Sequence, residues 1–187
     1  MRDGKLVNRA RLAFALLLAT ATVAITAEAR IARTGTPRVS FHASGPAGMR
    51  IDGTTNDLDV DDRGASVVIR VPLRNLSTGI SLRDHHMRDK YLQVGSFPNA
   101  ELTVDRSAIH FPNGDGTSSG DAAGSMSIHG HSKNVNFHYT MARSGGQLRV
   151  AGTTSVDIRD YGIDVPSYLG ITVKPNVDVE VQFTASE

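Results

Sequence analysis

Hydrophobic and polar residues alternate along several segments of this chain. Three segments show the pattern most clearly, with apolar side chains at every second position: 66–73, 134–141 and 176–183. Alternation with a period of two places the apolar side chains on one face of a β-strand and the polar ones on the other. Parallel strands buried on both faces would give continuous apolar runs instead. The pattern therefore predicts an antiparallel sheet with one apolar face.

Turn-forming residues separate the alternating segments. Glycine-containing turns are expected at 61–64, 128–132 and 144–147, and a longer loop at 113–120. About eight strands result, at 38–43, 48–60, 65–74, 100–110, 121–130, 133–142, 147–159 and 175–185. Eight antiparallel strands are enough to close a barrel that can hold one small ligand. The predicted fold class is therefore all-β, with an eight-stranded antiparallel barrel.

Residues 82–92 depart from the alternation and fit a helix. Met87 and Tyr91 lie four residues apart and would share one helix face, and Asp84 is suited to cap the N-terminus. The sequence Phe97-Pro98 ends the helical segment before the next strand. One short helix is therefore expected after the third strand.

The first 29 residues have the features of a secretory signal peptide. A basic start precedes an apolar run at 12–25, and Ala27-Glu28-Ala29 forms a small-x-small cleavage site. The run is too short to span a membrane as a helix, although an uncleaved N-terminal anchor is the alternative. Cleavage after Ala29 would leave one domain, 30–187, that is periplasmic or secreted and has no stable membrane anchor.

Composition and charge narrow the class of protein. Cysteine is absent, which excludes disulfides, thiolate metal sites and cysteine nucleophiles. Residues 1–29 carry four of the 20 basic and two of the 19 acidic residues, so 16 basic and 17 acidic residues remain in the body. Because a nearly neutral body does not attract phosphate backbones over long range, nucleic acid is not an expected partner.

Candidate metal and catalytic patterns are weak. His129-x-His131 has a spacing used by metal sites, but it straddles Gly130 in a predicted turn, and spacing fixes no third ligand. The acidic run 57–61 resembles the start of a calcium loop without that loop's later glycine and glutamate. Nucleophile-elbow, P-loop and dinucleotide motifs are absent. We therefore expect no metal site, no catalytic residues and no enzyme activity.

Arg83, Asp84 and His86 form the densest polar cluster next to apolar residues. One interpretation is a capped surface helix with salt bridges. The other places a cation, a carboxylate and an imidazole at the mouth of the barrel, where they order the helix or contact the polar end of a ligand.

Several blocks of the chain, in order, resemble the YceI-like family. They are the Arg-Asp-x-His-Met pattern at 83–87 with the Phe-Pro-x-Ala-x-Leu pattern at 97–102, the glycine-bounded hairpin at 124–135, and the closing strand with its aromatic-Gly-Ile step at 155–163. The similarity extends from Val39 to Phe183.

This resemblance implies a lipocalin-like barrel, usually periplasmic, whose apolar tunnel binds isoprenoid chains, quinone tails or other amphiphilic lipids. The sequence departs from the family pattern at the Asp52-Gly53-Thr54 step, at Asn134 and at His131. Together with a short first strand pair, these departures predict a shorter or narrower tunnel at that end.

The inward positions of the strands and helix supply the candidate ligand-binding residues. They are Phe41, Ile69, Val71, Met87, Phe97, Met126, Ile128, Phe137, Tyr139, Ile158, Val179 and Phe183. We expect an exported binding protein that holds an amphiphilic lipid and uses no cofactor, with a second copy of the chain as a further partner left open. The alternatives are a ligand-free barrel with a structural or stress role, and an enzyme that acts on a lipid-like substrate.

Overall fold

The computed structural model describes residues 30–168 and 170–186, and the predicted signal peptide lies outside them. This part of the chain forms one curled antiparallel sheet of nine strands and a separate two-stranded hairpin, β9–β10. The strands are β1 (Ala32–Ser44), β2 (Arg50–Thr55), β3 (Asp59–Asp62), β4 (Ser66–Pro72), β5 (Asn99–Asp105), β6 (Gly116–Ile128), β7 (His131–Ser144), β8 (Gln147–Asp157), β9 (Ser167–Tyr168), β10 (Ile171–Thr172) and β11 (Asn176–Ser186). The prediction of an all-β antiparallel fold is confirmed.

The main sheet has nine strands rather than the predicted eight because the second predicted strand is broken. Residues 56–58 interrupt it, so that β2 pairs with β1 while β3 pairs with β4. The register brings Phe41 opposite Gly53 in the first pair and Val60 opposite Ile69 in the second. One bent strand therefore contacts both neighbours that the barrel needs in order to close.

This connection forces the sheet to curl. The strand order is β2-β1-β11-β8-β7-β6-β5-β4-β3, so the two edge strands are joined by three residues. Nine strands laid flat would separate those edges by about 38 Å, given a spacing of about 4.8 Å between strands. The three-residue link from Thr55 to Asp59 extends to only about 14 Å. The sheet must therefore bend round until its two edges come within reach of this link, which turns its apolar face inward.

Three predicted boundaries are wrong. The first strand begins at Ala32 rather than at 38, although it pairs with β2 only over 39–44. The predicted strand 100–110 ends at Asp105, where a 3-10 turn over Arg106–Ala108 follows. The loop expected at 113–120 is shorter because β6 already starts at Gly116 and pairs along its whole length with β7.

The predicted helix is present in two parts, α1 (Ser81–His85) and a π-helical turn over His86–Tyr91. Asp84 does not cap it in the predicted way, because the N-cap position is Ile80 and makes no side-chain bond. Asp84 is instead buried and accepts hydrogen bonds from the preceding loop. None of the described helices is long and apolar enough to cross a membrane.

A buried carboxylate joins the end of β3 to the start of β1 and to the turn after β5. Asp62 at the end of β3 accepts hydrogen bonds from the backbone N–H of Ile31 at 3.0 Å, from the N–H of Gly64 at 2.9 Å, and from the Arg106 guanidinium. Burial acts to raise the pKa of Asp62, but these hydrogen bonds outweigh it and hold the pKa below the usual 3.8. The ionised carboxylate therefore stabilises the folded state.

We predict that Asp62→Ala lowers the free energy of unfolding by about 3 kcal/mol at neutral pH, because it removes the buried acceptor of the Ile31 N–H and an ionic partner of Arg106. Since the pKa of Asp62 is lowered on folding, its contribution is complete well above 3.8 and is lost as the pH falls through the lowered value. Denaturant unfolding at several pH values measures this. The stability gap between the two proteins should shrink in acid, and a gap independent of pH would contradict the role of the charge.

The matched control is Asp61→Ala on the adjacent residue. The Asp61 side chain is 50% exposed and pairs with exposed Arg63, so its loss should cost less than about 1 kcal/mol. An equal loss of stability in both variants would show that Asp62 has no special role at the edge.

Candidate functional site: the cavity inside the sheet

The curled sheet encloses a cavity of about 760 Å³. Ligand-binding cavities commonly measure about 300–1,000 Å³. Its wall consists mainly of valine, isoleucine, leucine, methionine and phenylalanine side chains from most strands of the main sheet. The cavity extends from Ile31 and Phe111 near the Asp62 end to Ile80, Leu82 and Ile171 at the opposite end, which we call the mouth. An apolar space of this size is suited to a flexible hydrocarbon.

The structure brings eleven of the twelve predicted inward residues together on the cavity wall. They are Phe41, Ile69, Val71, Met87, Met126, Ile128, Phe137, Tyr139, Ile158, Val179 and Phe183. Most occupy alternate positions of paired strands, as the register of Phe41 opposite Val179 shows.

Phe97 is the exception, and its prediction as a lining residue is wrong. It lies in the loop before β5, outside the alternation of any strand, and does not reach the cavity. Its ring packs instead against the His129 ring, with 4.5 Å between the centroids. It also covers Gly130, where a Cβ would come within 2.8 Å of the phenyl ring. Phe97 therefore fixes the β6–β7 turn from outside.

Two members of the predicted polar cluster, Arg83 and His86, line the mouth of the cavity. Arg83 is held in place by Thr78: its Nε donates to the Thr78 hydroxyl at 2.7 Å and its Nη2 to the Thr78 carbonyl at 3.0 Å. Lys90, which the sequence analysis did not single out, also lines the mouth. In the described part of the chain, no carboxylate lies within ion-pairing distance of Arg83 or Lys90. The Lys90 ammonium lies 5.1 Å from the centroid of the Tyr91 ring. An anionic group at the mouth would therefore not compete with a carboxylate for either cation.

Asp84 does not line the cavity, and it orders the segment that carries these cations. Its carboxylate accepts from the Ser77 hydroxyl at 2.6 Å and from the Thr78 N–H and hydroxyl at 2.7 and 2.6 Å. Burial acts to raise the pKa of Asp84, but these hydrogen bonds outweigh it and lower the pKa. The interpretation of Asp84 as a residue that orders the helix agrees with this geometry, whereas a direct contact with a ligand in the cavity does not.

Two inward glycines show where the wall is full and where it is open. A Cβ at Gly53 would collide with the Phe41 ring, so the ring lies directly on the β2 backbone. At Gly152, between Val181 and Tyr139 in register, the nearest atom to a Cβ would be the His138 carbonyl oxygen at 3.7 Å. A side chain added at Gly152 would therefore project into open space inside the cavity.

The histidines near the β6–β7 turn take part in packing. His129 Nδ1 lies 3.2 Å from the carbonyl oxygen of Tyr161, and His131 Nδ1 lies 3.0 Å from the carbonyl of His129. Burial, together with nearby Asp160, raises the pKa of the Tyr161 phenol. Across the residues that the structure describes, no group of three or more His, Asp or Glu side chains is arranged to hold a metal ion.

A curled antiparallel sheet that surrounds an apolar cavity and carries one short helix at its mouth defines a lipocalin-like fold. The YceI-like domain family matches residues 19–185, and the chain therefore belongs to the YceI-like family.

Sequence and structure comparisons agree with this assignment. A UPF0312 protein of Pseudomonas fluorescens is 29% identical over 126 residues, which cover 60% of this chain and 64% of that relative, slightly less than two thirds of its length. The structure is similar to a polyisoprenoid binding domain from Saccharophagus degradans, with a TM-score of 0.70, 16% identity, and coverage of 84% of this chain and 98% of that one. Burkholderia cenocepacia BcnA gives a TM-score of 0.65 at 16% identity, with coverage of 80% and 96%. At such low identity the structural similarities show the fold alone.

Proposed function

We propose that this protein is an exported carrier or store for a single-chain amphiphile, such as an isoprenoid phosphate or a similar anionic lipid. The hydrocarbon chain would occupy the cavity, and the charged head would lie at the mouth near Arg83 and Lys90. The observation that carries the proposal is the combination of an apolar cavity with two cations at its mouth that form no salt bridge in the described part of the chain.

The energetics favour a ligand of this kind. Each methylene group transferred from water into an apolar space contributes about 0.8 kcal/mol, so ten of them contribute about 8 kcal/mol before the cost of ordering the chain. Pairing of an anionic head with a guanidinium or an ammonium adds charge-assisted hydrogen bonds at the mouth. The polyisoprenoid binding domain from Saccharophagus degradans, which has a similar fold, supports an isoprenoid chain as the ligand class.

Family membership and the composition of the wall both favour a binding protein over an enzyme. The cavity wall is mainly aliphatic and aromatic, and its cationic and imidazole side chains are confined to the mouth. A ligand-free structural barrel is the remaining alternative. The volume of about 760 Å³ argues against it, because a barrel filled by its own side chains would leave no such space.

Export is part of the proposal, and the intact mass of the protein tests it. Its basis is the basic, apolar and small-residue pattern that ends at Ala29. Protein expressed with its complete N-terminus should be recovered outside the cytoplasm with Arg30 as its first residue. A mass corresponding to an intact Met1 start, found only in the cytoplasm, would contradict export without bearing on the cavity.

We predict that Gly152→Leu fills part of the cavity and reduces the amount of lipid that copurifies, with little change in the melting temperature. Gly152 has a strand conformation without positive φ and open space in front of it, so a leucine should fit without strain. Native mass spectrometry gives the bound fraction and thermal unfolding gives the stability. A barrel already packed solid would instead lose about 1–3 kcal/mol on such overpacking.

Ser155→Leu is the control because Ser155 lies on the same strand, is exposed and does not line the cavity. It adds the same side chain to the outer face and should leave lipid retention unchanged. Equal retention by the parent and both variants would contradict a ligand site in the cavity, as would a parent protein that never carries lipid.

We predict that Lys90→Gln weakens binding of an isoprenoid phosphate about tenfold while it changes binding of the corresponding alcohol less than about twofold, because only the phosphate loses a charge-assisted contact. Geranylgeranyl phosphate and geranylgeraniol, titrated against delipidated protein, are suitable probes. Lys133→Gln removes an exposed charge that does not line the cavity and serves as the control. Equal effects on the phosphate and the alcohol would place the head group elsewhere.

A further inference from the structure

Large exposed apolar side chains are concentrated at the mouth of the cavity. In the described part of the chain they are Ile80, Leu82 and Ile171, which are 53%, 61% and 49% exposed. All three line the same cavity, although Ile80 and Leu82 belong to the α1 segment and Ile171 to the β9–β10 hairpin. Water-facing apolar groups that cluster around one opening mark a surface that contacts an apolar partner.

The apolar rim is continuous with apolar residues of the cavity wall. Met49 and Ile51 beside the β1–β2 turn, Met87 in the helix and Pro166 before the hairpin are half-buried and also line the space behind the rim. The hairpin segment is fixed to the end of β1, since the backbone N–H of Lys174 donates to the Ser44 carbonyl at 2.6 Å. The rim is therefore built on three chain segments that meet around one opening.

Net positive charge lies on the α1 side of this rim. Segment 74–90 carries four basic residues and two acidic ones, while the chain as a whole has a formal charge of only +1. One of the two acids, Asp84, is buried and fully engaged by Ser77 and Thr78, which leaves Asp89 as the exposed one. Segment 159–174 adds two basic and two acidic residues and so contributes no net charge.

We propose that the mouth is a membrane-docking surface that rests on a bilayer containing anionic lipids, with Ile80, Leu82 and Ile171 inserted at the headgroup level. Exposed apolar side chains flanked by basic ones are the combination that binds peripheral proteins to anionic membranes. A second copy of the chain fits the surface less well, because joining two mouths would bring basic segments together. This inference deepens the proposed function, since a docked mouth lets a lipid enter the cavity without crossing water.

Flotation with lipid vesicles tests docking directly. The parent protein should float with phosphatidylcholine vesicles that contain phosphatidylglycerol, float much less with phosphatidylcholine alone, and be released by high salt. Leu82→Ser and Ile171→Ser should each weaken binding by about fivefold or more, because each removes apolar area from the membrane contact. Leu82→Met keeps that area and should bind like the parent.

The charge contribution is tested at residues that do not line the cavity. Arg74→Gln and Arg88→Gln should each weaken binding to the anionic vesicles about fivefold, the effect expected for one basic residue near such a surface. Arg149→Gln removes an exposed charge from the outer face of β8 and should have no effect. Equal losses for Arg149→Gln and the mouth variants, or unchanged binding of Leu82→Ser, would overturn the proposal.

The design separates docking from lipid carriage. Native mass spectrometry of the same samples reports whether lipid is retained in the cavity. Protein that retains lipid but does not float with anionic vesicles would overturn docking and leave the proposed function standing. Protein that floats with the vesicles but never carries lipid would overturn the proposed function and leave docking standing. A parent dimer that Leu82→Ser dissociates would show that a second copy covers the mouth, and would also overturn docking.

Discussion

The structure depends on one covalent constraint, the three-residue link between the two edge strands of the sheet. Because β2 pairs with β1 while β3 pairs with β4, residues 56–58 hold the two edges together and the sheet cannot lie flat. The apolar face of the curled sheet therefore points inward and encloses a space. Side chains that would form a sandwich core in an open sheet become the wall of a cavity, and many of them remain half-buried for that reason.

A buried carboxylate lies at each end of this cavity, and the two carboxylates have different structural roles. Asp62 joins the start of β1, the end of β3 and the turn after β5 through Ile31 and Arg106. Asp84 at the other end binds the loop before α1 and thereby presents Arg83 toward the opening. Each carboxylate compensates the cost of burial with at least three hydrogen bonds, so each stays charged and fixes the local backbone. One end of the sheet is tied together, and the other carries the mouth.

The cavity brings together apolar and basic side chains from segments that are far apart in the chain. Hydrocarbon can be accommodated along most of the sheet, while positive charge and exposed apolar side chains occur together at the mouth. An amphiphile likewise consists of an apolar chain and a polar head. The surface of an anionic bilayer combines charged head groups with apolar chains in the same way. Binding of a lipid and docking on a membrane would therefore draw on one surface.

The sequence by itself determined the class of fold, most of the strands and most of the cavity wall. Ile69, Phe137 and Val179 could be assigned to the inner face because alternation follows from local strand geometry, and the turn at His129-Gly130 because left-handed backbone favours glycine. Only the tertiary structure placed Phe97 outside the wall, brought Lys90, Leu82 and Ile171 to one opening, and divided the second strand between two partners. Those positions lie in a loop, in the helix, in the two-residue strand β10 or at a strand break. There, side-chain direction depends on contacts between segments far apart in the chain rather than on a local period.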